Sequence, residues 1–252
     1  MFWIDQKIQF HCLLLSLFYT NMKATKDVKE IAPHFEELWR LELNSVRKNF
    51  FLIAVVAYTT SQNDQDLLKR WLPRAIDELS LTAVEEIILQ TLLFSGFPRT
   101  IEALTTLRSN YPAAGVSTDP GELRQKGLEL SRLVYGKHHP RLIEIMNQLH
   151  PDLTRWMIED GYGRVLSRPG LDLMEREIAV LTVLMASGMQ AQFRAHFRGA
   201  LNVGIKEVDI IWFTNTFNCI IAADLRETFL GVVMQVLKSN GMSSIDRVND
   251  SQ

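Results

Sequence analysis

The chain has 252 residues, of which 47% are hydrophobic and 22% are charged, a globular composition that excludes an intrinsically disordered protein. Its 27 lysine and arginine residues are balanced by 29 aspartate and glutamate residues, so the basic surplus of a nucleic-acid-binding protein is missing. The two cysteines, Cys12 and Cys219, are too few for a disulfide framework and indicate a reducing compartment, for which we expect the cytoplasm.

The N-terminal segment contains an apolar run, IQFHCLLLSLFY, at residues 8–19. This run is shorter than the roughly 20 residues that a membrane span needs, and no small-residue cleavage site follows it. We therefore expect no membrane association and assign residues 1–26 to a leader, in which Met22 offers a later start. A helix docked on the domain and an export signal are the alternative interpretations of this leader.

The rest of the chain has helical periodicity nearly throughout, and no stretch alternates like a β-strand. Two wholly apolar segments, at 51–58 and 177–186, must be covered on all sides, in a core or at an oligomer interface. Gly204 is placed to end the helix that carries His196. Capping-box spacing, an oxygen acceptor three residues before a carboxylate, occurs at Thr82 with Glu85, Asp119 with Glu122, and Asp172 with Glu175. These signals predict an all-α fold.

A repeated pattern and one internal boundary indicate the domain organisation. Proline, glycine, serine and threonine are concentrated at residues 109–122, which favours a boundary there. The order apolar helix, amphipathic helix, apolar helix occurs over residues 51–97 and again over residues 176–219. We predict a first half at 27–112, a helical connector at 113–170, a second half at 171–242 and a tail at 243–252.

Residues 163–210, GRVLSRPGLDLMEREIAVLTVLMASGMQAQFRAHFRGALNVGIKEVDI, resemble the carboxymuconolactone decarboxylase family, whose relatives include alkylhydroperoxidase D. The resemblance rests on SRPGLD, on the Arg-Glu pair that opens the apolar helix, and on QFRAHFRGALNVG. The stretch at 85–104, which contains SGFP, is close to the family's GFP stretch. The resemblance implies two fused alkylhydroperoxidase D-like helical halves, oligomeric assembly, and neither a metal nor an organic cofactor.

The cysteines separate the two chemistries that occur among these relatives. Alkylhydroperoxidase-type members need a Cys-x-x-Cys pair, in which one thiolate attacks the peroxide and the other resolves the sulfenic acid. Residues 192–196, where the resemblance would place that pair and its histidine, are Gln, Phe, Arg, Ala and His. Cys219 is predicted to be a small buried hydrophobic residue. Classical thiol peroxidase activity is therefore not expected.

The decarboxylase-type chemistry needs a group that transfers a proton to carbon after carbon dioxide leaves. His196 is the candidate, because an imidazole ordinarily titrates near neutral pH, and Glu177 would orient it. Gln192 precedes His196 by one turn and would share its face. The alternatives are that His196 is a satisfied or surface histidine and that Glu177 favours the positive end of a helix dipole.

Arginines and one aromatic residue complete the predicted site. Arg176 and Arg198 could hold a substrate carboxylate through bidentate hydrogen bonds, whereas the alternatives are a structural ion pair for Arg176 and a solvated side chain for one arginine that flanks His196. Phe97, in the SGFP turn of the first half, is predicted to lie near His196 and to complete one composite pocket per chain. His138 and His139 lack metal-ligand spacing and are predicted to be loop residues.

The first half retains the helical pattern but not the polar groups. Aligning Ala75 with Ala200 places apolar residues of the first half opposite the polar candidates: Trp71 opposite His196, Leu67 opposite Gln192, and Leu52 opposite Glu177. We therefore predict one site, in the second half, for cofactor-free decarboxylation or related proton transfer on a small carboxylic acid or lactone.

A homo-oligomer, a trimer of fused pairs, is the expected assembly. The alternative functions are an alkylhydroperoxidase-like antioxidant relative without the cysteine pair and a catalytically silent helical assembly that binds a partner.

Overall fold

The computed structural model describes residues 28–41, 43–114, 121–218 and 223–239. The predictions for the leader 1–26, for Cys12 and Cys219, for Asp119 and for the tail 243–252 fall outside these described residues.

The described residues are helical and contain no β-strand, which confirms the all-α prediction. The helices are α1 (Val28–Trp39), α2 (Ser45–Gln62), α3 (Gln65–Glu78), α4 (Leu81–Arg108), α5 (Leu123–Tyr135), α6 (His139–Leu149), α7 (Pro151–Trp156), α8 (Leu173–Ala186), α9 (Gln190–Asn202), α10 (Glu207–Phe217) and α11 (Ala223–Ser239). A 3-10 turn (Gly136–His138) joins α5 to α6, and a π-helical segment (Met157–Leu166) continues α7. Among the described helices, none combines the length and apolar character needed to cross a membrane.

Helices α2 and α8 form the centre of the core, where they pack against each other. Residues 50–61 of α2 and 176–185 of α8 are buried, as the apolar runs predict. Their neighbours in the same chain cover them, because α1, α3, α4 and α10 pack on α2, while α4 and α9 pack on α8. The burial of these two helices is therefore achieved within one chain and does not by itself require a second copy.

The helix ends agree with the predicted signals in two of the three places described. Asp172 and Glu175 form a complete capping box at the start of α8, and Gly204, with φ 103°, follows the last turn of α9. The prediction for Thr82 is wrong, since Ser80 caps α4 by accepting a hydrogen bond from the backbone N–H of residue 83. A serine two residues earlier offers the same oxygen acceptor, so spacing alone did not identify the cap.

Helix α5 and the π-helical segment cross in backbone contact. A Cβ on Gly127 would lie 1.9 Å from the carbonyl oxygen of Ile158, and one on Gly163 would lie 2.0 Å from that of Leu123. Glycine at both positions therefore permits this close approach. Residues 161–166 continue the helical path although they contain two glycines.

Helix α4 is kinked near the predicted SGFP turn. Gly96 has φ 78° and ψ 170°, outside the helical region, and Pro98 follows it. The part of α4 before the kink lies in the core and contacts α8. Phe94, on that part, faces α9, where its ring contacts that of His196.

Candidate active site

Glu177 and His196 form a buried pair between α8 and α9. The Nδ1 atom of His196 lies 3.0 Å from Oε2 of Glu177, and the two side chains are 7% and 4% exposed. With its proton on Nδ1, the imidazole donates to the carboxylate, which fixes the ring and directs Nε2 away from Glu177. The structure thus brings together the two residues predicted to share the chemistry.

The local sequence makes room for this pair. Gly199 lies one turn after His196 on α9, and a Cβ at this position would lie 3.2 Å from Oε2 of Glu177 and 2.6 Å from Cγ1 of Val134. Glycine here allows α9 to approach both α8 and α5. The Asp172 capping box sets the start of α8 and hence the turn that presents Glu177.

The outer face of the imidazole is enclosed by two aromatic rings. Nε2 of His196 lies 3.5 Å from the hydroxyl of Tyr135, and the two ring centroids are 5.9 Å apart. Phe94 packs edge-on to the imidazole at 6.2 Å. The oxygen–nitrogen distance is long for a hydrogen bond, and catalytic contacts often shorten when a ligand binds. The site therefore combines side chains from α8 and α9 with one from α5 and one from α4.

Tyr135 and Tyr162 form a pair of neutral phenols beside Glu177. Burial raises the pKa of Tyr135 to about 12, and the charge of Glu177 acts in the same direction. Burial also raises the pKa of Tyr162, whose ring packs edge-on to Tyr135 at 6.0 Å. The Tyr162 hydroxyl is close enough to affect the pKa of Tyr135, yet it makes no hydrogen bond of ordinary geometry within the described residues.

A cleft of about 360 Å³ opens beside Tyr135. Its lining combines cationic and hydrogen-bonding side chains: Tyr135, Lys137, His138, Arg198, Asn202 and Ser239. Asn202 is held by a 2.8 Å hydrogen bond from its Nδ2 to the carbonyl oxygen of Val134. Because no carboxylate of the described residues lines this cleft, the charge of its described lining suits a small anion.

Of the other polar residues predicted for the site, one lines the cleft and two do not. Arg198 lines the cleft, whereas the Arg176 side chain is 3% exposed and pairs with Glu86 at 3.2 Å. The guanidinium of Arg176 also donates a hydrogen bond to Gln90. Arg176 therefore has the surroundings of a structural ion pair, which was the alternative to substrate binding. Gln192 is exposed and does not line the cleft.

Phe97 lies after the kink of α4 and is 68% exposed. Phe94, on the same helix before the kink, supplies the contact of the first half with His196. The prediction that His139 is a loop residue is wrong, because His139 begins α6 and its Nε2 lies 2.9 Å from the hydroxyl of Ser131.

The sequence patterns did not identify several residues of the site: Phe94, Tyr135, Lys137, Asn202 and Ser239. Tyr135 and Lys137 belong to YGKHHPRL, where polar and aromatic groups follow a helix end, and that clustering was the available signal. Across the described ranges, no group of three or more histidine, cysteine, aspartate or glutamate side chains is arranged to hold a metal ion.

Comparison with known proteins matches residues 151–212 to the carboxymuconolactone decarboxylase family. The match begins inside the predicted connector and includes Glu177 and His196, but it excludes Tyr135.

Three named proteins are similar to this chain over different shares of its length. Peroxisomal protein 2 of Schizosaccharomyces pombe is 25% identical over 65% of this chain and 81% of its own length. Peroxisomal protein 2 of Saccharomyces cerevisiae is 24% identical over 79% of this chain and 85% of its own length. A 4-carboxymuconolactone decarboxylase of Acinetobacter baylyi is 32% identical over 34% of this chain and 65% of its own length.

Proposed function

We propose, from the membership of this chain in the carboxymuconolactone decarboxylase family through residues 151–212, that it catalyses cofactor-free proton transfer on a small organic acid. Decarboxylation of a lactone acid or keto acid is the favoured reaction. The observation that carries the proposal is the 3.0 Å contact between buried His196 and buried Glu177. A carboxylate that orients an imidazole is a common arrangement for acid–base catalysis.

The chemistry follows from this arrangement. When the bond between the substrate carbon and its carboxylate breaks, carbon dioxide leaves and the electron pair moves through the conjugated carbonyl to give an enolate. Protonated His196 is the source of the proton with which the enolate carbon gains a C–H bond, and His196 becomes neutral when it gives up that proton. Glu177 stabilises the imidazolium before the transfer. The cationic cleft supports an anionic substrate.

Substitution of the pair tests the proposal against a panel of lactone and keto acids. His196→Ala and Glu177→Gln are each expected to lower turnover by roughly 10²–10⁴-fold, the contribution of acid–base catalysis. Glu144→Gln, on the exposed surface of α6, is the control and should keep parental turnover. Helicity measured by circular dichroism should be unchanged. Full activity in both site variants would contradict the proposal.

Assembly as a homo-oligomer, a trimer of fused pairs, is part of the same proposal. Two apolar residues on α4 after its kink support an interface, because Phe97 is 68% exposed and Ile101 is 55% exposed. Light scattering should show three copies, and a Phe97→Asp, Ile101→Asp double variant should show fewer. A parent protein that is monomeric at micromolar concentration would contradict this assembly.

We propose a cytoplasmic location, which the composition supports and which the names of two relatives call into question. The small number of cysteines supports a reducing compartment such as the cytoplasm, whereas two relatives bear the name peroxisomal protein 2. Fluorescent fusions at either end of the chain, imaged with a peroxisomal marker, distinguish the two. Diffuse fluorescence with both fusions supports the cytoplasm, and punctate overlap with the marker contradicts it.

A further inference from the structure

Tyr135 separates the Glu177–His196 pair from the cationic cleft. It is the residue that both lines the cleft and approaches Nε2 of His196, at 3.5 Å. His196 is buried and does not line the cleft. An anion in the cleft would therefore meet the phenol before it could meet the imidazole.

We propose that Tyr135 is a catalytic residue of this site, whose hydroxyl transfers a proton between His196 and a carboxylate-bearing substrate held in the cleft by Arg198 and Lys137. This inference rests on the proposed function and adds to it the route of the proton and the place of the substrate. Tyr135 lies outside the segment matched to the family, so the family match alone does not assign it.

The cations are placed to orient the substrate. Arg198 belongs to α9, two residues after His196, and Lys137 belongs to the 3-10 turn that follows Tyr135. They line the cleft from two elements, so a carboxylate can be held between a planar guanidinium and an ammonium group. The rest of a small substrate would then extend to the Tyr135 hydroxyl.

The proton passes from His196 to the substrate in two coupled transfers through the Tyr135 hydroxyl. The phenol O–H breaks as its proton forms a C–H bond at the enolate carbon, and the phenol oxygen takes the Nε2 proton of the His196 imidazolium. Tyr135 ends as it began, His196 becomes neutral, and the substrate gains one proton. The reverse sequence removes a proton from a substrate. In either direction Glu177 remains a carboxylate beside Nδ1.

The properties of the phenol favour transfer through Tyr135 over its ionisation. Its pKa of about 12 keeps it protonated at neutral pH, so a free tyrosinate would be a costly intermediate. Simultaneous loss and gain of a proton avoids that charge. Tyr162 packs against the ring at 6.0 Å and limits its movement.

A titration with glutarate, a small dicarboxylate, tests the cleft independently of any reaction. Arg198→Gln should weaken glutarate binding by at least about tenfold, the effect of losing one charge-assisted hydrogen bond. Arg194→Gln is the matched control, because Arg194 lies one turn earlier on α9 and pairs with Gln235. Tyr135→Phe should bind glutarate much as the parent does. No binding by the parent, or equal binding by Arg198→Gln, would overturn the assignment of the cleft.

Kinetics on a substrate that the parent converts test the role of the hydroxyl. Tyr135→Phe retains the ring contacts and should lower kcat by roughly 10²–10⁴-fold with little change in KM. Tyr111→Phe, which removes a hydroxyl elsewhere, should leave both constants unchanged. A purely structural role for Tyr135 would instead lower the melting temperature and leave the kcat of the folded enzyme intact.

The outcomes separate this inference from the proposed function. If His196→Ala is inactive while Tyr135→Phe keeps its kcat, the proposed function stands and His196 acts directly on the substrate, which overturns the role of Tyr135. If the parent converts no member of the panel, the proposed function falls and the proton route falls with it. The glutarate titration still decides whether the cleft is an anion site.

Discussion

Two packed helix pairs, α2 with α3 and α8 with α9, differ in the residues that their interiors contain. In both pairs a buried apolar helix packs against an amphipathic one. The sequence alignment of the halves places Trp71 opposite His196 and Leu52 opposite Glu177. One pair contains only aromatic and aliphatic groups at these positions, and the other contains an imidazole and a carboxylate.

The surroundings of Trp71 explain how the first pair is closed. Trp71 is fully buried, and its ring centroid lies 5.5 Å from that of Phe51, 5.9 Å from that of Trp39 and 6.3 Å from that of Phe35. Aromatic packing of this kind stabilises a core at the density of a close-packed protein interior.

The second pair contains buried polar groups that must be satisfied. His196 and Glu177 satisfy each other, and His196 meets two rings that come from outside its own half. A buried apolar helix packed on an amphipathic helix can therefore form a sealed core or a polar site. The residue types at the two aligned positions, and the elements that cover them, distinguish the two pairs.

Replacing Glu177 of the second helix pair by leucine, the residue type at the aligned position of the first pair, should have the largest effect on turnover. Glu177→Leu places the first-half residue type opposite His196 and removes the group that orients and stabilises the imidazolium. We expect turnover to fall by roughly 10²–10⁴-fold, measured as kcat on a substrate of the parent. Because the substituted side chain is apolar and the site is buried, the variant should remain helical. Retained turnover would show that the carboxylate is not needed.

Replacing Trp71 of the first helix pair by histidine should lower the free energy of unfolding without creating a second active site. Trp71→His leaves space among the aromatic rings and buries a polar ring, for which we expect a loss of about 3 kcal/mol in the free energy of unfolding. Turnover of the folded fraction should equal that of the parent, because Leu52 offers no carboxylate. Urea denaturation measures the loss, and an unchanged midpoint would contradict the sealed-core interpretation.

Arg176 connects α8 of the second helix pair to α4 through Glu86 and Gln90. Arg176→Gln removes charge-assisted hydrogen bonds to Glu86 and Gln90 and should lower the free energy of unfolding by about 2 kcal/mol. Arg168, 2.8 Å from Glu86, still neutralises that carboxylate and limits the loss. KM should not change. A raised KM at unchanged stability would instead support the substrate-binding interpretation.

Substitution of one glycine tests the packing that distinguishes α9. Gly199→Ala places a Cβ 2.6 Å from Val134 and should cost about 1–2 kcal/mol in the free energy of unfolding. Gly231→Ala is the matched control on α11, where a Cβ would have nothing within 4 Å, and it should stabilise the protein by up to about 1 kcal/mol. Equal stability of the two variants, measured by urea denaturation, would show that α9 does not need this close approach.

Much of the architecture could be predicted from local patterns. The apolar runs within α2 and α8 indicated two buried helices, and the Asp172 capping box and Gly204 indicated where α8 begins and α9 ends. The apolar runs also suggested an oligomer interface, but helices of the same chain cover them. An apolar run in a sequence indicates that a helix surface must be buried, but it does not indicate whether the same chain or a second copy buries it.

The helical class, the two central helices and the candidate pair Glu177 and His196 could be predicted from the sequence, because periodicity, capping and residue type are local properties. The surroundings of that pair depend instead on how the helices pack. Phe94 and Tyr135 reach His196 from distant positions, and Arg176 is buried against Glu86 and Gln90. Such contacts depend on how close two helices approach, which here is set by glycines at their crossings and by a kink in α4. No local pattern specifies which distant side chain lies opposite a glycine or beyond a kink, so these neighbours emerge only when the helices pack together.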